Sequence, residues 1–198
     1  MNVNTEVQIS HWRQSTLGEV ATIERRVVGA TEIRDGTTYV GLENIEIGGS
    51  LINVGTVTSG ELHSSKFIFT KDHILYGKLR PYLAKIARPE FGGICSTDIL
   101  PILPGPGINR DYLTHFLRLP ATVQLANSLT TGANLPRLNP QGLATFEIPV
   151  PPISDQQRIA ALLDKTESLR AKRREALTKI EELTGAIFLD VFGEAKEP

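Results

Sequence analysis

A chain of 198 residues, 40% apolar and 22% charged, has room for one compact domain plus an appended element, and its composition excludes intrinsic disorder. A net charge of −1 excludes a uniformly basic polyanion binder, so any affinity for nucleic acid has to come from a local cluster of Lys and Arg. The single cysteine, Cys95, excludes an intrachain disulfide, and the scattered His11, His63, His73 and His115 give no metal-ligand spacing.

The first ten residues are polar and lack a signal-peptide core, and no apolar run approaches the ~20 residues that cross a bilayer. A cytoplasmic chain without membrane contact is expected. From about residue 11 to 150 the chain is punctuated by Gly and Pro and rich in short β-like runs. The apolar and β-branched runs predict strands at 20–24, 38–42, 51–54, 67–69, 73–76, 83–87 and 98–103, with turns at Gly48-Gly49 and Gly92-Gly93. Asn109 is placed to cap a helix over 111–119, and Pro120 suits the first turn of another ending near 129. The strands do not alternate with helices, which argues against a doubly wound parallel sheet. The expected class is α+β, with a curled or barrel-like mixed sheet.

Ile148-Pro149-Val150-Pro151-Pro152 reads as a stiff extended connector, because proline removes donors and biases its predecessor away from helix. Ser154 at a cap with Gln157 three residues on reads as a capping box. One heptad row then runs Ile159, Thr166, Arg173, Ile180, Ile187; the other runs Leu162, Leu169, Ala176, Leu183, with Leu163 and Leu177 widening the stripe. A period of 3.5 over about four heptads predicts a coiled-coil seam, with an amphipathic helix packed on its own domain as the other reading. Gly185 either ends this rod or joins it to a shorter helix over 186–192, stopped by Gly193. The expected division is a domain over 1–152 and a coiled-coil helix with its tail over 153–198.

No phosphate-binding glycine loop, dinucleotide-binding glycine turn or nucleophile elbow is present, and no acid/base pair can be assigned from spacing. These absences favour a binding module over an enzyme, with no catalytic residue and no metal. The informative stretch runs from Lys78 through Arg80, Tyr82 and Lys85 to Arg88, with no acid between its ends, and Lys66 and Lys71 lie just upstream. Clustered cations suit phosphates, and Arg also binds guanine bidentately in the major groove. Pro81 fixes φ and turns the backbone to present Arg80 and Tyr82. A second stretch, Thr130-Thr131-Gly132-Ala133-Asn134-Leu135-Pro136-Arg137-Leu138-Asn139, mixes donors and acceptors in a glycine loop. A solvated strand–turn–strand face and an ordinary surface loop account for the same two stretches, and both alternatives stay open on composition alone.

The order of blocks along the chain resembles the specificity subunit of type I restriction-modification enzymes. Trp12-Arg13-Gln14-Ser15-Thr16-Leu17-Gly18-Glu19-Val20 is similar to the opening of that family's target-recognition domain. Tyr39 to Ile45, Asp72 to Leu83, Ser96-Thr97-Asp98 and Gly132-Ala133-Asn134 follow in family order, and Ile148 to Ala160 is similar to the junction into the family's spacer helix. The resemblance implies a target-recognition domain reading one part of a bipartite double-stranded DNA target, with Lys66, Lys78, Arg80, Tyr82, Lys85, Arg88, Asn134 and Arg137 as its DNA-binding candidates. It also implies a spacer helix that docks modification (methyltransferase) and restriction (translocating nuclease) subunits, to which catalysis, adenosylmethionine, ATP and Mg²⁺ belong. A full family member carries two recognition domains and two spacers, whereas this chain has one of each. A natural half-subunit, a truncated product and one piece of a split pair all fit that difference; the favoured expectation is a half-subunit that pairs with itself, antiparallel, through Ile159, Leu162, Leu169, Ile180 and Leu183. The competing readings are a helix-mediated protein-interaction adaptor and the recognition part of a split restriction-methylation enzyme.

Overall fold

The computed structural model describes residues 12–132 and 134–193. These fall into two compact units, one ending at Gln157 and the other starting at Arg158.

In the first unit β1 (Arg13–Thr16) leads into a single helical turn, α1 (Leu17–Val20), and then β2 (Ala21–Ile23) and β3 (Val27–Val28). Glu19 fixes that turn: its carboxylate accepts from the Thr16 amide at 2.8 Å and the Ser15 hydroxyl at 2.5 Å. These bonds favour the ionised form and hold the Glu19 carboxyl below its usual range. Strands β4 (Thr37–Val40), β5 (Gly55–Val57), β6 (Lys66–Phe69), β7 (Ile74–Gly77), β8 (Ile86–Ala87), β9 (Gly93–Cys95) and β10 (Ile99–Pro104) follow. Then come α2 (Arg110–Arg118), α3 (Pro120–Ser128), β11 (Thr130–Thr131), β12 (Arg137–Leu138), α4 (Pro140–Ala144) and β13 (Glu147–Val150).

The unit is α+β, as expected, but its strands divide among separate sheets rather than one curled sheet. An antiparallel sheet of order β2-β10-β7-β8 holds the core, where Ile74, Leu75, Ile99, Leu100 and Ile102 have no solvent exposure. Burial on both faces explains why these strands read as continuous apolar runs rather than as alternation. The second sheet, β3-β6-β9-β4-β5, is mixed, with β4 and β9 as its parallel pair. Its small cluster is Ile33, Val57 and Ile94, with Tyr39, Leu62 and Ile68 packed against them. The approach of β4 to β9 depends on Gly93, where a Cβ would lie 2.5 Å from the Thr38 carbonyl oxygen.

Helix α2 begins as expected, with the Asn109 side chain accepting from the Tyr112 amide at 2.9 Å. Two expected strands are corrected. Residues 51–54 form only a bridge from Leu51 to Ile45, because Asn53 is left-handed (φ 49°) and the Asn44 side-chain Nδ2 donates to the Ile52 and Asn53 carbonyls. The run 83–87 is reduced to β8, because Ala84 is also left-handed (φ 47°) and breaks the extended chain.

The proline-rich stretch is corrected too. Residues from Glu147 to Val150 are a strand, pairing antiparallel with β1 (Arg13 opposite Val150, Thr16 opposite Glu147). Helix α5 (Ile153–Phe192) starts one residue before Ser154, with the Pro152 carbonyl accepting from the Asp155 and Gln156 amides. Ser154 therefore lies inside the first turn and is not the cap. The anchoring side chain is Gln156, fully buried: its oxygen accepts from the Asn109 amide (2.8 Å) and its nitrogen donates to the carbonyls of Gly107 (3.1 Å) and Pro151 (2.8 Å). Helix α5 runs without a break through Gly185 and ends at Gly193, which is left-handed (φ 73°). None of the helices among the described residues is long and apolar enough to cross a membrane.

Replacing Gln156 with Leu keeps the volume but strands three backbone groups. At about 1–3 kcal/mol for each unsatisfied buried group, and with partial rehydration, the loss should be about 2–4 kcal/mol. A urea melt followed by tryptophan fluorescence measures it; an unchanged midpoint would mean that Gln156 does not hold the helix start.

Candidate nucleic-acid interface

The cationic stretch and the polar glycine loop meet in space. Between β7 and β8 the chain makes a 3₁₀ turn, Pro81–Leu83, flanked by Arg80 (φ 51°, ψ 61°) and Ala84 (φ 47°, ψ 42°). Pro81 suits the first position of such a turn, but two left-handed non-glycine residues around it cost on the order of 1–2 kcal/mol each. The surroundings overcome that cost. The Arg80 amide donates to the Pro136 carbonyl at 2.8 Å, the Leu138 amide donates to the Lys78 carbonyl at 2.9 Å, and Leu79 bridges to Arg137. The segment 78–80 is thus laid beside the hairpin β11–β12, whose ladder pairs Thr131 with Arg137.

Asp98, in the turn between β9 and β10, sits at the centre. Its carbonyl accepts from the Lys78 amide at 2.9 Å. Its carboxylate faces the Lys78 ammonium at 3.9 Å and accepts from Arg137 Nε at 3.1 Å and Nη2 at 3.4 Å. The hydrogen bond and charge of Asp98 raise the Arg137 guanidinium above its usual value, so it stays a cation. A polar hollow of about 270 Å³ lies alongside, lined by Lys78, Thr131, Arg137, Leu138, Asn139 and Pro140.

The eight sequence-selected residues differ in what they present. Arg80 is exposed and Tyr82 is half-exposed; neither side chain has an ion pair or hydrogen bond among the described residues. Asn134 is exposed at the hairpin tip, and Arg137 is exposed on β12. Lys78 is half-buried against Asp98. The other three hold their charges on partners within the unit. Lys66 is buried, donates to the Ser64 carbonyl and hydroxyl at 2.8 and 2.7 Å, and lies 5.9 Å from the Tyr39 ring centre. Burial lowers its ammonium below the usual lysine value. Lys85 donates to the Leu42 carbonyl at 2.7 Å, and Arg88 pairs with Asp111 at 2.8 Å. Sequence reasoning passed over Asp98 as a member of this group, since it stands 20 residues from Lys78 and 39 from Arg137, and no linear pattern joins them. Cys95 is buried, and burial pushes its thiol up to about 12, so it is no nucleophile.

Of the helix residues expected to form a seam, Leu162, Leu169, Ile180 and Leu183 are each about 60% exposed (59%, 58%, 60% and 59%), and Ile159 is half-buried. The stripe continues through Ile187, so the apolar row along α5 is a property of the folded chain.

Three similarities stand beside this geometry. The chain is 30% identical over 148 residues to the type I restriction enzyme EcoDI specificity subunit of Escherichia coli, an alignment covering 69% of this chain and 31% of that one. It superposes on a chain from a type I R-M system, solved in a study of complex assembly and conformational transition, with a TM-score of 0.72 at 25% identity. It superposes on the HsdS subunit from Thermoanaerobacter tengcongensis with a TM-score of 0.68, also at 25% identity. Each superposition covers 94% of this chain and 51% of the other, so the chain spans about half the length of those solved relatives and about a third of the curated one. The relatives that carry a subunit name are specificity subunits, in agreement with the expectation of a non-catalytic chain. Residues 9–182 match the family described as "Type I restriction modification DNA specificity domain", and the chain belongs to that family.

Proposed function

We propose that this chain is a DNA target-recognition component of a type I restriction-modification enzyme, acting in the cytoplasm. Its globular unit reads one part of a duplex target, and separate modification and restriction subunits do the chemistry there. Adenosylmethionine, ATP and Mg²⁺ belong to those subunits. The observation that carries the reading is the union of the cationic stretch 78–88 with the polar loop 130–139 that carries Arg137, distant in sequence, on one strained and tightly bonded surface. Arg80, Tyr82, Asn134 and Arg137 are its exposed groups. Left-handed arginine is costly, and such strain gathers where a side chain has to be aimed at a ligand. Lys78 joins the contact surface, while Lys66 and Lys85, held by neutral acceptors, add positive field rather than direct contact, and the charge of Arg88 is offset by Asp111.

The exposed apolar row of α5 is the partner surface. A continuous stripe of this kind is rare on a free monomer. Self-association is the economical way to cover it, since two-fold pairs are the commonest oligomers. An antiparallel pair of α5 helices would present two identical recognition units in inverted orientation. The target would then be a palindrome with an unread spacer near one helical turn, ~34–36 Å between half-site centres. Modification subunits docking on the same helices complete the enzyme.

Two measurements test this. Arg80→Asn places a residue tolerant of left-handed backbone at that position, so it should keep or raise stability by up to about 1 kcal/mol while weakening duplex binding. A lost phosphate contact also lowers the slope of log affinity against log salt by about one. Binding isotherms at several salt concentrations read both, and parental affinity and slope would remove this surface from the DNA face. For the helix, Leu169→Glu with Leu183→Glu should convert a dimer into a folded monomer in sedimentation at tens of micromolar. A parent chain that is already a well-folded monomer there would rule out self-pairing.

A further inference from the structure

We propose that Arg137, held by Asp98, reads a guanine edge in the major groove, while Arg80 beside it contacts phosphate. The inference rests on the DNA-recognition reading above and divides the labour within that one surface. A guanidinium carries its five N–H groups in a rigid plane. Asp98 takes the edge made by Nε and Nη2, at 3.1 and 3.4 Å. The adjacent end-on edge, formed by Nη1 and the second hydrogen of Nη2, remains as two parallel donors on a side chain that is 45% exposed. Two parallel donors are the pattern that matches guanine O6 and N7.

Both ends of the pair stand on fixed backbone. Arg137 is in the β11–β12 ladder and bridged to Leu79. Asp98 accepts the Lys78 amide through its carbonyl and is tied to the Ser96 hydroxyl through its amide at 3.3 Å. Rotamer freedom that binding would otherwise remove has been removed by folding, and discrimination depends on that preorganisation.

Charge separates the two arginines. Asp98, shared between Arg137 and Lys78, offsets part of the charge of Arg137 and makes it a weaker phosphate ligand than an unpaired arginine, whereas a guanine edge is uncharged and is matched by the fork itself. Among the described residues the Arg80 side chain has no ion pair or hydrogen bond that fixes its plane, which suits a phosphate, where charge counts more than orientation. Asp98 is in this scheme a positioning residue: it touches no base and acts through Arg137.

The test uses the full chain assembled with modification subunits. A duplex is first selected from a randomised library by the parent complex, then compared with an unrelated duplex over a range of salt. Arg137→Lys, which keeps the charge and loses the fork, should lower the ratio of selected to unrelated affinity roughly 5- to 150-fold, with an unchanged salt slope. Repeating the selection with this variant should relax one guanine position. Asp98→Asn should lower the ratio in the same direction while retaining the guanidinium. Arg80→Ala should weaken both duplexes alike and lower the slope by about one. An unchanged ratio and selected sequence for Arg137→Lys would overturn the assignment and leave DNA recognition standing. So would Arg137→Ala weakening both duplexes equally with a slope lower by one. A parent complex that selects no sequence would sink this inference and the DNA-recognition reading together.

Discussion

The constraint on which the candidate interface depends is the pairing of Lys78–Arg80 with Pro136–Leu138. Two backbone hydrogen bonds, which make up the bridge between Leu79 and Arg137, hold together segments that belong to different parts of the unit. They satisfy amides and carbonyls that a surface loop would otherwise leave to water, and they hold Arg80 in a left-handed conformation it would not choose alone. Without this pairing, the loop after β7 and the hairpin β11–β12 would be two independent excursions. With it, they form one surface of defined charge and shape, backed by the doubly buried strands β7 and β10.

Electrostatics then decides which of the many cations on this surface face outward. Lys66, Lys85 and Arg88 lie close in sequence to the exposed group but are held by a serine, a backbone carbonyl and an aspartate. Density of positive residues along the chain is therefore a poor guide to the surface potential. A net charge of −1 is compatible with polyanion binding because binding depends on the local group rather than the total, and Asp98 beside Arg137 trades raw charge for orientation.

The two units are stabilised in different ways. The first has a conventional core, in which Phe69, Phe146, Leu17 and Ile45 are almost wholly withdrawn from water, each worth about 1.5–3 kcal/mol. Zipping β1 to β13 closes this unit on itself, so the proline-rich stretch is part of the fold rather than a tether. The second is a helix whose long apolar row stays exposed. Isolated helices draw little stability from propensity, and an exposed apolar row adds none.

Local chemistry was legible from the sequence alone. The Asn109 cap, the Pro120 start and the Gly193 stop act through neighbours within four residues, and the long α5 pattern repeats often enough to be read without a partner. The order of short blocks along the chain likewise sufficed to place it in its family. Tertiary structure decided what depends on distant residues. Strands β3, β5, β9, β11 and β12 are two or three residues long, too short to carry a period, and exist because another strand lies alongside. Gln156, which no local pattern singles out beside Ser154 and Gln157, is a buried anchor because Gly107, Asn109 and Pro151 converge on it. The division of the cations into exposed and engaged, and the setting of Asp98 between Lys78 and Arg137, follow from the meeting of three separate turns. Composition specifies which charges the chain carries; only folding specifies which of them find partners inside it.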